Sequence, residues 1–87
     1  MRLIELLKQA TEWSDDEATI YVAQPWSCDA EAILVSPSPD TTEPVEQHGT
    51  RYEYFLEAFI ARDFVADYEA PAERQCDRLI EYARNDA

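Results

Sequence analysis

Arg51-Tyr52-Glu53-Tyr54-Phe55-Leu56-Glu57-Ala58-Phe59-Ile60 is the stretch on which the fold turns. Tyr52, Tyr54, Leu56, Ala58 and Ile60 recur at every second position, the period of a strand with one buried face. The same residues admit a helix beginning at Leu56, with Leu56, Phe59, Ile60 and Phe64 on one stripe. That stripe would also carry Asp63 and Asp67, which a buried face does not accept. The alternation therefore predicts a strand over about residues 51–60, then a short helix over about 63–69 with Asp63 as its N-cap.

Upstream, Ala18-Thr19-Ile20-Tyr21-Val22-Ala23 is rich in β-branched and aromatic residues and reads as a strand that Pro25 ends. Ala32-Ile33-Leu34-Val35 is a second strand, closed by Ser36-Pro37-Ser38-Pro39. Between about residues 36 and 50 lie three of the five prolines, the single glycine and the single histidine, a composition that predicts one long loop. Near the N-terminus, Leu3, Leu6, Leu7 and Ala10 share one helical face, which predicts an amphipathic helix over about residues 2–12 with Trp13 at its apolar end. Downstream, Pro71 suits a helix start, and Cys76, Leu79, Ile80 and Ala83 line one face of a helix over about 72–85. The expected fold is a single α+β domain: a three-stranded antiparallel sheet, an N-terminal helix and one or two C-terminal helices packed on one face.

The leading helix, Ile20-Tyr21-Val22 running to Pro25-Trp26 and Asp29, the Tyr52–Leu56 strand and the closing helix near Asn85-Asp86 resemble a family of short uncharacterised acidic bacterial proteins. The resemblance spans most of the chain and implies the same order of helices and strands, with no activity attached. In general character, as a small acidic chain without a catalytic signature, it is also similar to the immunity proteins encoded beside bacterial toxins.

Eighty-seven residues suit one domain with a modest core, and an apolar content of 46% excludes the composition of a disordered chain. No apolar run is long enough to span a bilayer, and Glu5 interrupts what would be the apolar stretch of a signal peptide, so the expected location is cytoplasmic and no membrane partner is expected. Nineteen acids against seven bases give a net charge of −12. Between Lys8 and Arg51 there is no Lys or Arg, while nine acids occur: Glu12, Asp15, Asp16, Glu17, Asp29, Glu31, Asp40, Glu43 and Glu46. A field of that sign repels nucleic acid and draws in cationic partners, although acidity also serves solubility alone.

Chemistry-bearing patterns are few. One glycine excludes a glycine-rich phosphate cradle, and neither a Cys-x-x-Cys nor a His pair offers metal-ligand spacing. Asp15-Asp16-Glu17 reads as a solvated turn sooner than as a divalent-cation site. His48, next to Gly49, reads as an exposed loop residue, and a Cys28–His48 nucleophile–base pair would need a geometry that sequence does not supply. Cys28 and Cys76 read as reduced thiols unless the fold brings them together. Trp26 is either a core residue folded over the sheet or an exposed anchor for a partner.

The expectation is a binding module without catalytic residues or cofactor. Its partner would be a basic protein such as a toxin domain, met through Asp15, Asp16, Glu17, Trp26, Asp29, Glu31, Asp40, Glu43 and Glu46. The alternatives are a nucleic-acid mimic, and a small regulatory or structural subunit whose acidity keeps it soluble.

Overall fold

A computed structural model describes residues 1–13, 17–36 and 43–86. The chain runs α1 (Leu3–Lys8), a 3-10 turn (Ala10–Glu12), β1 (Thr19–Ala23), β2 (Ala32–Val35), β3 (Val45–Gln47), β4 (Thr50–Glu57), α2 (Ala58–Asp67) and α3 (Ala72–Asp86). The fold is α+β, and its sheet is antiparallel with the order β2-β1-β4-β3.

Four strands are therefore present among the described residues, not the three expected, because β3 forms inside the region read as one long loop. Gln47 pairs with Thr50, so His48 and Gly49 are the two residues of a tight hairpin. Both have positive φ, 52° and 78°, the backbone of a type I′ turn. Glycine enters that region at no steric cost, and histidine is among the side chains that enter it more readily than most. The only glycine and the only histidine of the chain thus make a turn between strands.

The long stretch read as a strand over 51–60 divides in two. β1 begins at Thr19, which pairs with Glu57, and the amide of Ala58 donates to the Ala18 carbonyl at 2.9 Å. Past that bond β4 has no β1 neighbour to pair with, and the chain continues directly as α2. The helix therefore starts at Ala58 with Glu57 as N-cap, several residues before the expected Asp63. Its buried residues are Ala58 and Ala61, with Ile60, Phe64 and Val65 partly buried against the core, while Asp63 and Asp67 stay exposed.

The alternation within β4 is also broken. Ile20 pairs with Leu56, but Tyr21 pairs with Tyr54, so Phe55 is an extra residue in the ladder, a β-bulge. Directly opposed residues share a face of the sheet. Tyr54 accordingly joins Tyr21, in an edge-to-face contact with ring centroids 6.2 Å apart, and Leu56 joins Ile20 on the opposite face. Phe55 and Leu56, neighbours in sequence, both enter the core with Ile20 and Val22.

α3 covers this core with Cys76, Leu79, Ile80 and Ala83, as their spacing predicts, and α1 adds Leu3, Ile4, Leu6 and Leu7. α1 packs against both α2 and α3. The expected helix over 2–12 is shorter and ends in the 3-10 turn, with Trp13 half-buried behind it. The end of α2 is tied to α3 by Gln75, whose amide nitrogen donates to the carbonyls of Val65 (3.1 Å) and Tyr68 (2.7 Å). Those carbonyls belong to the turn where a helix leaves its acceptors unpaired.

A Cβ built on Gly49 would meet nothing within 4 Å, so a side chain there is opposed by backbone alone. Gly49→Ala should cost about 1–2 kcal/mol, whereas His48→Asn, giving the preferred Asn-Gly pair, should hold or raise stability. Urea midpoints of the two variants test this.

Candidate functional site: the cleft between the β1–β2 connection and α3

Residues 24–31 join β1 to β2 and are held in place by backbone bonds. α1 has no side-chain cap at Arg2, and its first amides find acceptors in the connection instead. Leu3 N donates to the Ala30 carbonyl at 2.8 Å and Ile4 N to the Cys28 carbonyl at 3.0 Å. Ala32 N donates to Met1 O at 2.7 Å, and Ala23 N to Glu31 O at 2.9 Å. The amides that open a helix otherwise lack acceptors, so the connection and the helix start complete each other.

Trp26 fixes the next part. Its indole N–H donates to the Val22 carbonyl at 3.2 Å, and its ring meets Phe55 edge to face, with centroids 5.1 Å apart and planes at 81°. The bulge that turns Phe55 inward thus gives Trp26 its seat. Trp26 is half-buried and packed against the core, which favours its reading as a packing residue over that of an exposed anchor. Its carbonyl accepts from the Arg84 guanidinium at 3.3 Å, tying the connection to α3.

Two clefts open along this seam. One, of about 450 Å³, is lined by Trp26, Cys28 and Ile80 with Asp77, Glu81 and Arg84. The other, of about 290 Å³, is lined by Ile4 and Cys28 with Arg2, Lys8, Asp29, Glu73 and Asp77. Cys28 and Asp77 belong to both and form the divide between them. In each, acids outnumber bases by one, so the clefts are close to charge balance.

The fold does bring the two cysteines together. The Cys28 thiol lies 3.2 Å from Asp77 Oδ1 and 3.9 Å from the Glu73 carbonyl, packed against the core cluster that contains Cys76. Both thiols are free, Cys28 half-buried and Cys76 fully buried. Burial pushes the Cys28 thiol far above the ordinary cysteine range, and the neighbouring Cys76 and Asp77 push it the same way. Burial likewise raises Cys76. Neither is an activated nucleophile at neutral pH. Cys28 points to α3, while His48 is exposed in the β3–β4 turn, so no Cys28–His48 pair is assembled. Among the described residues no group of three or more His, Cys, Asp or Glu is placed to hold a metal ion.

Among the described residues, the acids singled out in the sequence do not gather on one surface. Asp15, Asp16 and Asp40 lie outside the described residues. Asp29 is salt-bridged to Arg2 at 2.9 Å, and Glu31 to the N-terminal ammonium at 2.9 Å. Glu46 is exposed, opposite Arg51 in the β3–β4 ladder. Glu17, also exposed, precedes β1 at the end of the sheet where β4 finishes, whereas Asp29 and Glu31 follow β1 at the other end. Glu43 is exposed just before β3. The stretch without bases is therefore spread around the sheet and partly neutralised by the N-terminal segment. The Cys28–Cys76–Asp77 cluster escaped the sequence reading because its members meet only when the connection lies on α3. The one signal for it was that Cys76 falls on the buried stripe of α3.

No protein-family model, no curated protein and no solved structure matches the chain. Among the described residues no helix is long and apolar enough to cross a membrane.

Two expectations follow. Phe55→Leu, which keeps apolar bulk but removes the ring edge beneath Trp26, should cost about 1–2 kcal/mol in a urea titration and weaken the near-ultraviolet tryptophan signal. The second concerns Arg2, whose guanidinium bonds Glu5 at 2.8 Å and holds that carboxyl below its usual value of 4.5. A depressed carboxylate stabilises the fold above its unfolded pKa and loses that contribution as pH falls through its folded pKa. Arg2→Gln should therefore move the Glu5 midpoint up towards 4.5, read by NMR titration, and remove this acid-side loss.

Proposed function

We propose that this chain is an acidic binding module that associates with, and occludes, a basic protein, as an immunity protein does its toxin. The observation that carries the reading is how the bases are used within a chain of net charge −12. Arg2 is bonded to Glu5 and Asp29, and Arg78 to Glu81. Arg62 and Arg84 donate to the carbonyls of Trp13 and Trp26. Four of the seven cationic side chains thus serve internal contacts, while Glu17, Glu43, Glu46, Asp63, Asp67 and Glu69 are exposed.

Because these carboxylates are distributed, their effect is a field of the whole molecule acting before contact. Such fields raise association rates by about 10-fold to 1,000-fold and weaken with salt over a Debye length of about 10 Å at 0.1 M. Short-range fit then falls to the clefts beside Trp26, whose near-balanced charge and apolar floor of Ile80 and Trp26 suit a partner's side chain with an apolar stem and a polar tip.

The test is affinity capture from the native host, followed by association kinetics with the recovered protein. The expected partner is basic, and its association rate should fall at least about tenfold between roughly 0.02 M and 0.5 M salt. The triple variant Glu17→Lys, Glu43→Lys, Glu46→Lys should slow association at low salt and leave dissociation nearly unchanged. Recovery of a neutral or acidic partner with salt-independent kinetics would exclude this reading.

A further inference from the structure

We propose that Cys28 and Cys76 are an exchange pair that closes an intramolecular disulfide, with Cys28 as the entry thiol and a low-molecular-weight disulfide as the oxidant. The inference is independent of the partner reading and rests on the arrangement at the seam. Cys28 lies on the β1–β2 connection and lines both clefts, so a small disulfide can approach it from solvent. Cys76 is fully buried on α3, one residue before Asp77 and three after Glu73. Those two flanking residues are the ones that Cys28 touches, at 3.2 Å and 3.9 Å. Residues 73, 76 and 77 stand at i, i+3 and i+4 on α3, so a sulfur held against Asp77 and the Glu73 carbonyl faces the side of the helix that carries Cys76. The two thiols share one core cluster, and each is without another sulfur partner.

The chemistry runs in two exchanges. The Cys28 thiolate attacks one sulfur of the small disulfide, forming a mixed disulfide and releasing one small thiolate. The Cys76 thiolate then attacks Cys28 Sγ, forming the Cys28–Cys76 bond and releasing the second small thiolate. The protein gives up two protons and two electrons, and the oxidant leaves as two thiols. The asymmetry in burial assigns the order, since only Cys28 is accessible to the oxidant.

The groups facing Cys28 set the speed. Cys76, Asp77 and Glu73 face it from α3, Arg2 and Lys8 line the same cleft from the α1 side, and Asp29 neighbours it on the connection. Burial, Cys76 and Asp77 disfavour its thiolate. Exchange is therefore slow at neutral pH and accelerates about tenfold for each unit of rising pH, because the thiolate is the attacking species. Closing the bond removes the Cys28 thiol hydrogen, so Asp77 loses the donor it has at the divide between the clefts.

The experiment is incubation of the reduced, full chain with oxidised glutathione between about pH 7 and 9, followed by intact mass and a non-reducing peptide map. The expected product is a monomer two hydrogens lighter with residues 28 and 76 linked. Cys76→Ala should accumulate the glutathione adduct at Cys28, and Cys28→Ser should stay unmodified while folded. The wild-type peptide map decides the question even if either variant fails to fold. A mixed disulfide that persists in the wild-type chain, a link between chains in place of the 28–76 link, or a rate independent of pH overturns the proposal.

Discussion

The extra residue in β4 is the constraint on which the remaining architecture depends. With an unbroken alternation, Phe55 would point away from Leu56, and one of the two would leave the core. The bulge at Ile20 and Tyr21 lets both enter it. Phe55 then supports Trp26, and Trp26, bonded to the Val22 carbonyl, sets the path of the connection between β1 and β2. A domain of this size has few large side chains with which to fill a core, so recruiting two consecutive ones from a single strand matters.

The second constraint is mutual completion between the start of α1 and that connection. The amides of Leu3 and Ile4 take the carbonyls of Ala30 and Cys28, so a helix of six residues without a side-chain cap is held by tertiary hydrogen bonds. Short helices owe most of their stability to such context. The salt bridges of Arg2 and of the N-terminal ammonium belong to the same junction. They are exposed and add little energy, but they consume Asp29 and Glu31, which the sequence had left as uncompensated charge.

Much of the scaffold was legible in the residues themselves. β1, β2 and α3 lie where β-branched runs and the 76, 79, 80, 83 spacing place them, because each is a local pattern. Two elements were not legible, for different reasons. β3 is only Val45–Gln47, too short for a periodic signal, and its marker was the His48-Gly49 turn, a weaker hairpin signal than Asn-Gly or Asp-Gly. The helical period from Leu56 onward was present locally and was set aside for the alternation; the point of change at Glu57–Ala58 follows from where β1 begins, a long-range fact. The thiol cluster was hidden for the same reason, since Cys28 and Cys76 meet through packing. For the acidic stretch, contiguity in sequence suggested one surface, and antiparallel strands carried its described members to both ends of the sheet.

The outer strands of the sheet bear on how the molecule behaves in a crowd. At the start of β2, Met1 accepts from the Ala32 amide and Arg2 bridges to Glu31, so the first part of that short margin carries backbone of its own. On the far side stands β3, three residues long, with Glu46 and Gln47 exposed. Bare strand margins template the addition of foreign strands, and brevity and charge are what blunt them. Neither margin offers a long, flat apolar ladder, so the geometry discourages fibril-like stacking even where the protein is concentrated.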